Sequence, residues 1–241
     1  MIFGLQKADF NINLCHHSLL KPFIMKNQAI YLIAFLAIVL FFGSCVERIE
    51  GVGEAITQEI SMATFDQFTV DGNMDVVLKQ GATQKVMVIA QPEVFPILNT
   101  QTNNGHWNIQ FTQSVSTTEK TIIEITLPTI SQINISSNGN VKAEDALALY
   151  ELNIQIEGNG NVELLGTVEK QFIEINGIGN VHNFDLISNE TTIISDGMGD
   201  AEMHATNSLD VTIKDMGDVS YQGAPTIDVT KDGMGDLIDA N

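Results

Sequence analysis

Apolar and polar residues alternate with a period of two through most of the chain from residue 61 onward. The stretches 152–156, 173–175 and 209–213 place Ile, Leu and Val on one side and polar residues on the other. Such alternation is typical of half-buried β-strands, because successive side chains of a strand point to opposite faces. No apolar stripe with helical spacing runs through residues 61 to 241. The pattern therefore predicts an all-β domain.

A glycine-centred turn follows six of these strands at nearly even spacing. The polar residue after its second glycine recurs at intervals of 21, 19, 20, 18 and 18 residues, at Asn140, Asn161, Asn180, Asp200, Asp218 and Asp236. A fixed period near 20 is typical of solenoids, in which each unit packs only against its neighbours. We therefore predict a parallel β-helix of about six to seven coils of 18–21 residues. The alternative is a β-sandwich whose hairpins share the same turn residues.

The turn glycines are expected to supply positive φ, a conformation that is cheap mainly for Gly, Asn and Asp. Asp215 replaces the first glycine in the fifth turn, and it fits this expectation. Residues 71–76 resemble a degenerate first copy of the turn. We expect the segment 61–130, which is β-rich but lacks the tight repeat, to form irregular coils that cap the stack.

The segment 25–44 resembles a bacterial lipoprotein signal. An uninterrupted apolar run over 29–42 is too short for a spanning helix, and small residues precede Cys45 as in a lipobox. In that reading Cys45 is cleaved free and acylated. The alternatives are an uncleaved anchor and ordinary secretion. The predicted organisation is an upstream gene-model extension over 1–24, the signal peptide over 25–44, acylated Cys45 with a flexible tether over 45–61, and the β-helix domain over 62–241.

The chain is strongly acidic. Its formal net charge is −19, and from residue 45 onward 8 basic residues face 29 acidic ones. Nucleic-acid binding is excluded as a function class, because contacts to phosphates need a basic surface. The same charge repels anionic lipid, so we expect the acyl group to hold the domain at the outer membrane. Whether the domain faces the periplasm or the cell exterior stays open.

The leader, the strand that begins at Phe68, the Leu127-Pro128 pair and the repeated turns together resemble a known family. The chain is similar, from about residue 65 to its last residue, to the head GIN domain family of auto-transporter adhesins. That resemblance implies a right-handed parallel β-helix exposed on the cell envelope. It carries over no catalytic or binding residues.

The turn residues that follow the second glycines change from Asn in the first three copies to Asp in the last three. Stacked Asn side chains can hydrogen-bond along the column, whereas ionised Asp side chains about 4.8 Å apart repel each other. Either the Asp column is hydrated or a cation occupies it, and Ca²⁺ is the natural candidate. No other cofactor is expected. The candidate cation ligands are Asp196, Asp200, Asp215, Asp218, Asp232 and Asp236.

An apolar residue lies between the two small residues of four successive turns. These residues are Ile178, Met198, Met216 and Met234. They either pack over the coil or form an exposed stripe, and methionine stripes serve as adaptable partner surfaces.

The sequence favours a non-enzymatic role. His106, His182 and His204 follow no metal-ligand or catalytic-triad spacing, and the units lack the long loops that wall the cleft of β-helix polysaccharide enzymes. We therefore expect an envelope adhesion or interaction module that presents columns of polar side chains to glycan or protein partners. Candidate wall residues are Asn153, Gln155, Asp210, Thr212 and Asp228. The alternatives are a polysaccharide-processing enzyme and a structural protein that forms homo-oligomers.

Overall fold

The computed structural model describes residues 48–241 and is all-β, with 58% of its residues in strands. A 3₁₀ helix spans Pro92–Ile97. The strands are β1 (Ile49–Glu50), β2 (Ile56–Glu59), β3 (Gln67–Asp71), β4 (Met74–Gln80), β5 (Lys85–Ala90), β6 (Thr102–Asn103), β7 (His106–Gln110), β8 (Val115–Ser116), β9 (Thr121–Leu127), β10 (Gln132–Ile135), β11 (Val141–Ala143), β12 (Leu147–Ile156), β13 (Val162–Glu163), β14 (Gly166–Ile175), β15 (Val181–Ser195), β16 (Ala201–Ile213), β17 (Val219–Gln222), β18 (Thr226–Lys231) and β19 (Leu237–Asp239).

The strands stack into walls that run along the axis of a solenoid. The first wall, which precedes the glycine corners, pairs β7, β3, β10, β12, β14, β15, β16 and β18 in parallel. The second wall, which follows the corners, pairs β9, β4, β11, β13, β15, β16, β17 and β19 in parallel. The early residues of β12 and β14 form a third wall with the middle of β15 and β16. The long strands bend around the coil and so belong to more than one wall.

The coils lie in strict register, and this register builds the core. Ile133 pairs with Ile154, Ile154 with Ile173, and Ile173 with Ile193. All four side chains are fully buried, as the period of two predicts for the inner face of a wall. The parallel β-helix is confirmed, and the β-sandwich alternative is wrong because neighbouring coils pair in parallel.

The stack amounts to about five turns, fewer than the six to seven predicted. The reason lies before residue 128, where strand directions are mixed. β5 pairs antiparallel with β2 and β9, and β6 pairs antiparallel with β7. β2, β5 and β6 extend and cover the end of the stack without adding parallel coils, whereas β3, β4, β7 and β9 continue the two walls.

The order of the first coils in space differs from their order in sequence. β3 lies between β7 and β10, and β4 lies between β9 and β11. Residues 67–80 are thus inserted between two segments that follow them in the chain. Val76 pairs with Val141, so residues 71–76 do occupy the position of a first turn copy.

The prediction of a flexible tether over 45–61 is wrong for residues 48–61. β1 pairs in parallel with β8, β2 pairs with β5, and the Gln91 amide donates to the carbonyl of Gly53 at 2.8 Å. Every residue of β2 is exposed. Because backbone bonds rather than apolar side chains hold β2, the segment shows no apolar periodicity in the sequence.

The corner glycines recur because of close backbone contacts, and not because of positive φ as predicted. Positive φ occurs at Gly53, Asn104, Gly105, Gly166 and Gly223 among the described residues, none of which is a corner glycine. A Cβ atom on the second glycine of a corner would lie about 2 Å from a carbonyl oxygen of the preceding coil; the distances are 1.8 Å at Gly160, 2.0 Å at Gly179 and 1.9 Å at Gly199. A Cβ atom on the first glycine would lie as close, at 2.0 Å for Gly158 and 2.1 Å for Gly177, although Ser137 and Asp215 hold that position in two corners; the second position is glycine in all six.

Substitution of a second corner glycine should therefore destabilise the domain strongly. We expect Gly179→Ala to lower the free energy of unfolding by about 3 kcal/mol, because the new methyl group forces two backbones apart. The control is Ile178→Ala in the same corner, whose exposed side chain should contribute within about 0.5 kcal/mol. Urea unfolding followed by circular dichroism measures both. Equal effects of the two substitutions would contradict the close-contact explanation.

Candidate functional site

A continuous column of side-chain oxygens runs along the corners, and we call it the oxygen ladder. Each side chain except the last, Asp236, accepts a hydrogen bond through Oδ1 from the backbone N–H of the ladder residue in the next coil, over 2.7 to 3.1 Å. Backbone strand pairing is interrupted at this corner, and the side chain satisfies the N–H in its place. The ladder consists of Asp75, Asn140, Asn161, Asn180, Asp200, Asp218 and Asp236.

This geometry explains why Asp can replace Asn in the later coils. The ladder uses each side chain as an acceptor, and an ionised carboxylate is an acceptor at both oxygens. The expected pairing between the side chains themselves occurs at Asn140, whose Nδ2 also donates to Asp75. Lysines close both ends of the ladder: Lys120 Nζ lies 2.7 Å from Asp75, and Lys231 pairs with Asp236.

The six candidate cation ligands do not converge on one point. Asp200, Asp218 and Asp236 belong to the oxygen ladder, and Asp196 pairs with Lys214 over 3.2 Å. Within residues 48–241 no group of three His, Cys, Asp or Glu side chains is arranged to hold a metal ion. Calcium binding by these residues stays a prediction. The hydrogen bonds of the oxygen ladder are an alternative way to stabilise the stacked carboxylates.

The apolar corner residues form an exposed stripe. Ile178, Met198, Met216 and Met234 are 49, 53, 46 and 74% exposed. They lie outside the coil, because the two small residues beside each of them pack against the next corner. Of the two predicted arrangements, the structure has the exposed stripe.

The predicted wall residues lie on the outer face of the first wall, but their columns are interrupted. Phe172 lies between Asn153 and Thr192 in one column, and Ile194 lies between Glu174 and Thr212 in the other. Both apolar residues are half-buried. The sequence analysis did not single them out. Because Ile173 belongs to the inner face, the alternation already places its neighbour Phe172 on the outer face.

The outer face of the first wall is ordered by side-chain bonds. Thr69 Oγ1 lies 2.8 Å from His106 Nε2, and Gln132 Nε2 donates to Asn134 Oδ1 over 3.0 Å. A depression of about 190 Å³ opens there, lined by Thr69, Asn134, Ile135, Ser136, Gln155 and Glu157. Asn153 Oδ1 is shielded from solvent and accepts no hydrogen bond from residues 48–241.

A pocket of about 320 Å³ lies on the second wall beside the oxygen ladder. Its ionisable lining residues are Asp75, Lys142, Glu163 and His182. Two carboxylates and basic groups therefore share one concavity. Asp75 is already engaged by Lys120 and by Asn140, which leaves Glu163 as the carboxylate available to a ligand.

A third depression, of about 710 Å³, is an open groove at the end of the stack. Its rim carries hydroxyls from Thr64, Thr83 and Thr129, and Phe65 and Met62 contribute its apolar lining. Asp66 is its one carboxylate, and it accepts a hydrogen bond from Ser131 at 2.9 Å. No lysine, arginine or histidine of residues 48–241 lines this groove.

The three histidines of residues 48–241 lie apart from one another. His106 bonds Thr69 on the first wall, and His182 Nδ1 lies 2.9 Å from Glu202 Oε2 on the second. His204 is also in the second wall, where it pairs in register with Gln222. This placement brings together no triad and no metal site.

Shifted pKa values occur at two exposed pairs. A hydrogen bond from Lys79 lowers the pKa of Glu144 and correspondingly raises that of Lys79. The backbone N–H of Asn241, then its side chain, lowers the pKa of Asp239, whereas partial burial raises that of Tyr221. Because both carboxyl pKa values fall on folding, these groups add stability above the usual carboxyl pKa, and that stability is lost as pH falls through the folded values. Neither pair lies in the first-wall depression or the second-wall pocket.

Comparison with known families assigns the domain. The family model described as "Putative auto-transporter adhesin, head GIN domain" matches residues 64–225. This chain belongs to that family. The head GIN resemblance inferred from the repeated turns is thereby confirmed, and the family description supports a cell-envelope role in coarse terms. No curated protein is similar enough to count as a match.

Solved structures share the fold of this head GIN domain. A putative adhesin from Bacteroides fragilis NCTC 9343 is 22% identical with a TM-score of 0.67, over 78% of this chain and 98% of its own. A putative lipid binding protein from Parabacteroides distasonis ATCC 8503 is 19% identical with a TM-score of 0.51, over 80% and 100%. Because the solved chains contain almost nothing else, this fold forms without additional domains. Residues 47–241 of the present chain likewise make one compact unit.

The predicted lipidation site lies outside the described residues. Cys45 and the segment 25–44 precede residue 48, so the signal peptide and the acyl anchor stay predictions. In residues 48–241 no helix has the length and apolar character needed to span a membrane.

The oxygen ladder can be tested by separating its acceptor from its charge. We expect Asp218→Asn to keep or slightly raise stability, because the amide oxygen still accepts from the N–H of Asp236 and a like charge is removed. Asp218→Ala should cost about 1 kcal/mol, as loss of a helix-capping acceptor does. Asp228→Ala, an exposed aspartate outside the ladder, is the control.

The measurement is the melting temperature, with and without EDTA. The ladder predicts no effect of EDTA on any of the three variants or on the parent protein. A large fall in melting temperature with EDTA, together with an Asn variant as unstable as the Ala variant, would contradict the ladder and favour calcium.

Proposed function

We propose that this head GIN domain is a non-enzymatic adhesion module, anchored to the outer membrane by acylated Cys45, that binds neutral glycans through its first wall. The family description supports an adhesive role only in general terms. The observation that carries the finer proposal is the half-buried ring of Phe172, which lies on the outer face of the first wall among amide and hydroxyl side chains.

The chemistry of the first wall suits a sugar. The apolar face of a pyranose ring can pack on an aromatic ring, while amides and hydroxyls exchange hydrogen bonds with sugar hydroxyls. Asn153 and Thr192 flank Phe172 along its column, and Gln155 lies on the neighbouring column.

The charge of the surface selects among glycans. The wall carries Glu174, Asp210 and Asp228, and Lys170, two residues before Phe172 in β14, pairs with Glu190. Every lysine of residues 48–241 except Lys142 pairs with a carboxylate. An acidic polysaccharide would be repelled, so the proposed ligand is uncharged.

A lipid ligand finds little support in the described residues. The apolar space enclosed by Leu78, Leu127 and Leu147 measures about 10 Å³, far less than an acyl chain fills. We therefore do not extend the description "lipid binding" from the Parabacteroides relative to this chain.

The second candidate function is glycan processing at the second-wall pocket. Glu163, with Asp75, Lys142 and His182, supplies the two carboxylates and basic groups that glycosidases use. The engagement of Asp75 by Lys120 counts against this candidate. Release of reducing ends from a polysaccharide by the parent protein, abolished by Glu163→Gln, would favour it.

Glycan binding is tested by a glycan array with the domain of residues 47–241. We expect Phe172→Ala to reduce binding of neutral glycans at least tenfold, because the stacking surface is lost. Ile187→Ala on the third wall and Thr83→Ala on the groove rim are the controls, and both should bind as the parent does. Loss of binding in Thr83→Ala but not in Phe172→Ala would move the site to the groove. Absence of neutral-glycan binding would refute the proposal.

Membrane anchoring is tested with an alkyne-tagged fatty acid fed to the producing cells. The parent protein should carry the label and sediment with membranes, because its acyl chain partitions into lipid. Cys45→Ser should lose both properties. A Cys45→Ser protein that stays in the membrane fraction would point to the uncleaved anchor.

A further inference from the structure

The exposed corner stripe, which we call the methionine ridge, is a continuous apolar surface. It consists of Ile178, Met198, Met216 and Met234. The backbone N–H of each donates to a carbonyl in the preceding coil's corner, as from Met198 to Gly177 and from Met234 to Asp215. The four residues are therefore stacked one strand spacing apart, which makes the ridge about 15 Å long.

The fold does not require apolar residues at these positions. The same corner position holds Asn138 and Asn159 in the two preceding coils, where Asn159 Nδ2 donates to Asn138 Oδ1 over 3.0 Å. The corner thus stacks equally well with polar side chains. Exposure of four large apolar side chains to water has no structural compensation in the described residues, which indicates a binding surface.

Carboxylates line both sides of the methionine ridge. Asp196 and Asp200 lie two residues before and after Met198, and Asp232 and Asp236 flank Met234 in the same way. Lys214 pairs with Asp196 and Lys231 with Asp236, so within residues 48–241 the uncompensated charge beside the ridge comes from Asp200, Asp218 and Asp232. The surface is an apolar strip with a negative border.

We propose that the methionine ridge binds a cationic amphipathic segment of a partner protein. Apolar side chains of that segment pack on the flexible methionines, and its Lys and Arg residues pair with the bordering aspartates. A helix of about ten residues matches the length of the ridge. A second copy of this chain is a poor occupant, because its own ridge has the same negative border. Anionic membrane surfaces are repelled for the same reason.

This partner is distinct from the proposed glycan, because the ridge and the outer face of the first wall present different side chains. Failure of one proposal therefore leaves the other intact. Phe172→Ala should not change binding at the ridge.

The probe is a fluorescent amphipathic peptide of 14 Leu and Lys residues with helical spacing, titrated with the domain of residues 47–241 and followed by anisotropy. A scrambled peptide of the same composition measures attraction by charge alone, and a Leu/Glu peptide measures apolar contact alone. We expect the amphipathic Leu/Lys peptide to bind at least tenfold more tightly than either, with affinity falling as salt rises.

The ridge variant is Met198→Asn with Met216→Asn, which copies the side chain of the first two corners and should therefore fold. We expect it to weaken peptide binding at least tenfold. Asp200→Asn with Asp218→Asn removes two border charges that no lysine of residues 48–241 pairs with, while keeping the ladder acceptors, and it should also weaken binding. Ile187→Asn, an equally exposed apolar residue on the third wall, is the control and should bind as the parent does.

Several results would overturn the proposal. They are no binding of the amphipathic peptide, equal binding of the scrambled peptide, or unchanged binding by the ridge variant while its circular dichroism matches that of the parent. Ridge-dependent binding to phosphatidylcholine vesicles would assign the surface to a membrane, and ridge-dependent dimerisation in sedimentation would assign it to a second copy.

Discussion

Each glycine corner lies in close backbone contact with the corner of the preceding coil. At Gly160, Gly179 and Gly199 the carbonyl oxygen of the preceding coil occupies the space that a side chain would need. Each coil must therefore return to the same place with the same residue, and this requirement fixes both the period and the register of the stack. The buried Ile columns of the first wall follow from that register, since residues at equal distances from the corner pair with one another.

The corner also creates a problem that the oxygen ladder solves. Backbone pairing stops at the turn, and the N–H of the residue after the second glycine would otherwise lack an intramolecular partner. A short side chain with an oxygen at Cγ reaches it from the preceding coil, which both Asn and Asp provide. The column of carboxylates is thus a consequence of hydrogen bonding. The acidic border of the methionine ridge arises partly from the same residues, so structure and recognition share one element.

Sequence periodicity predicted the parallel coils, the degenerate copy at residues 71–76 and the inner face of each wall, because each of these repeats with the coil. It did not predict the reason for the glycines, since a close contact and a positive φ select the same residue. It missed β1 and β2, which are held by backbone bonds that leave no apolar pattern. Sequence periodicity also did not predict that residues 67–80 lie between segments that follow them in the chain, because strand order in space is set by pairing between residues far apart in sequence.

For the candidate surfaces the sequence supplied the residues but not their exposure. Met216 and Met234 could equally have packed inward, and only the stacked small residues beside them exclude that arrangement. Phe172 was overlooked because hydrophobicity suggested burial, whereas the parity of β14 places Gln171 inside and Phe172 outside. Where the hydrophobicity of a residue and the period of two disagree, the period of two sets the face on which its side chain lies in this fold.

Amide hydrogen exchange measured by NMR on the domain of residues 47–241 tests the stacked corners most directly. The corner N–H groups of Asn161, Asn180, Asp200 and Asp218 lie near the surface, yet each is bonded to a side chain of the preceding coil. We expect them to exchange as slowly as the strand amides of Ile154 and Ile173. Exchange at the rate of an unbonded loop amide at all four sites would contradict the ladder and the corner stacking on which it depends.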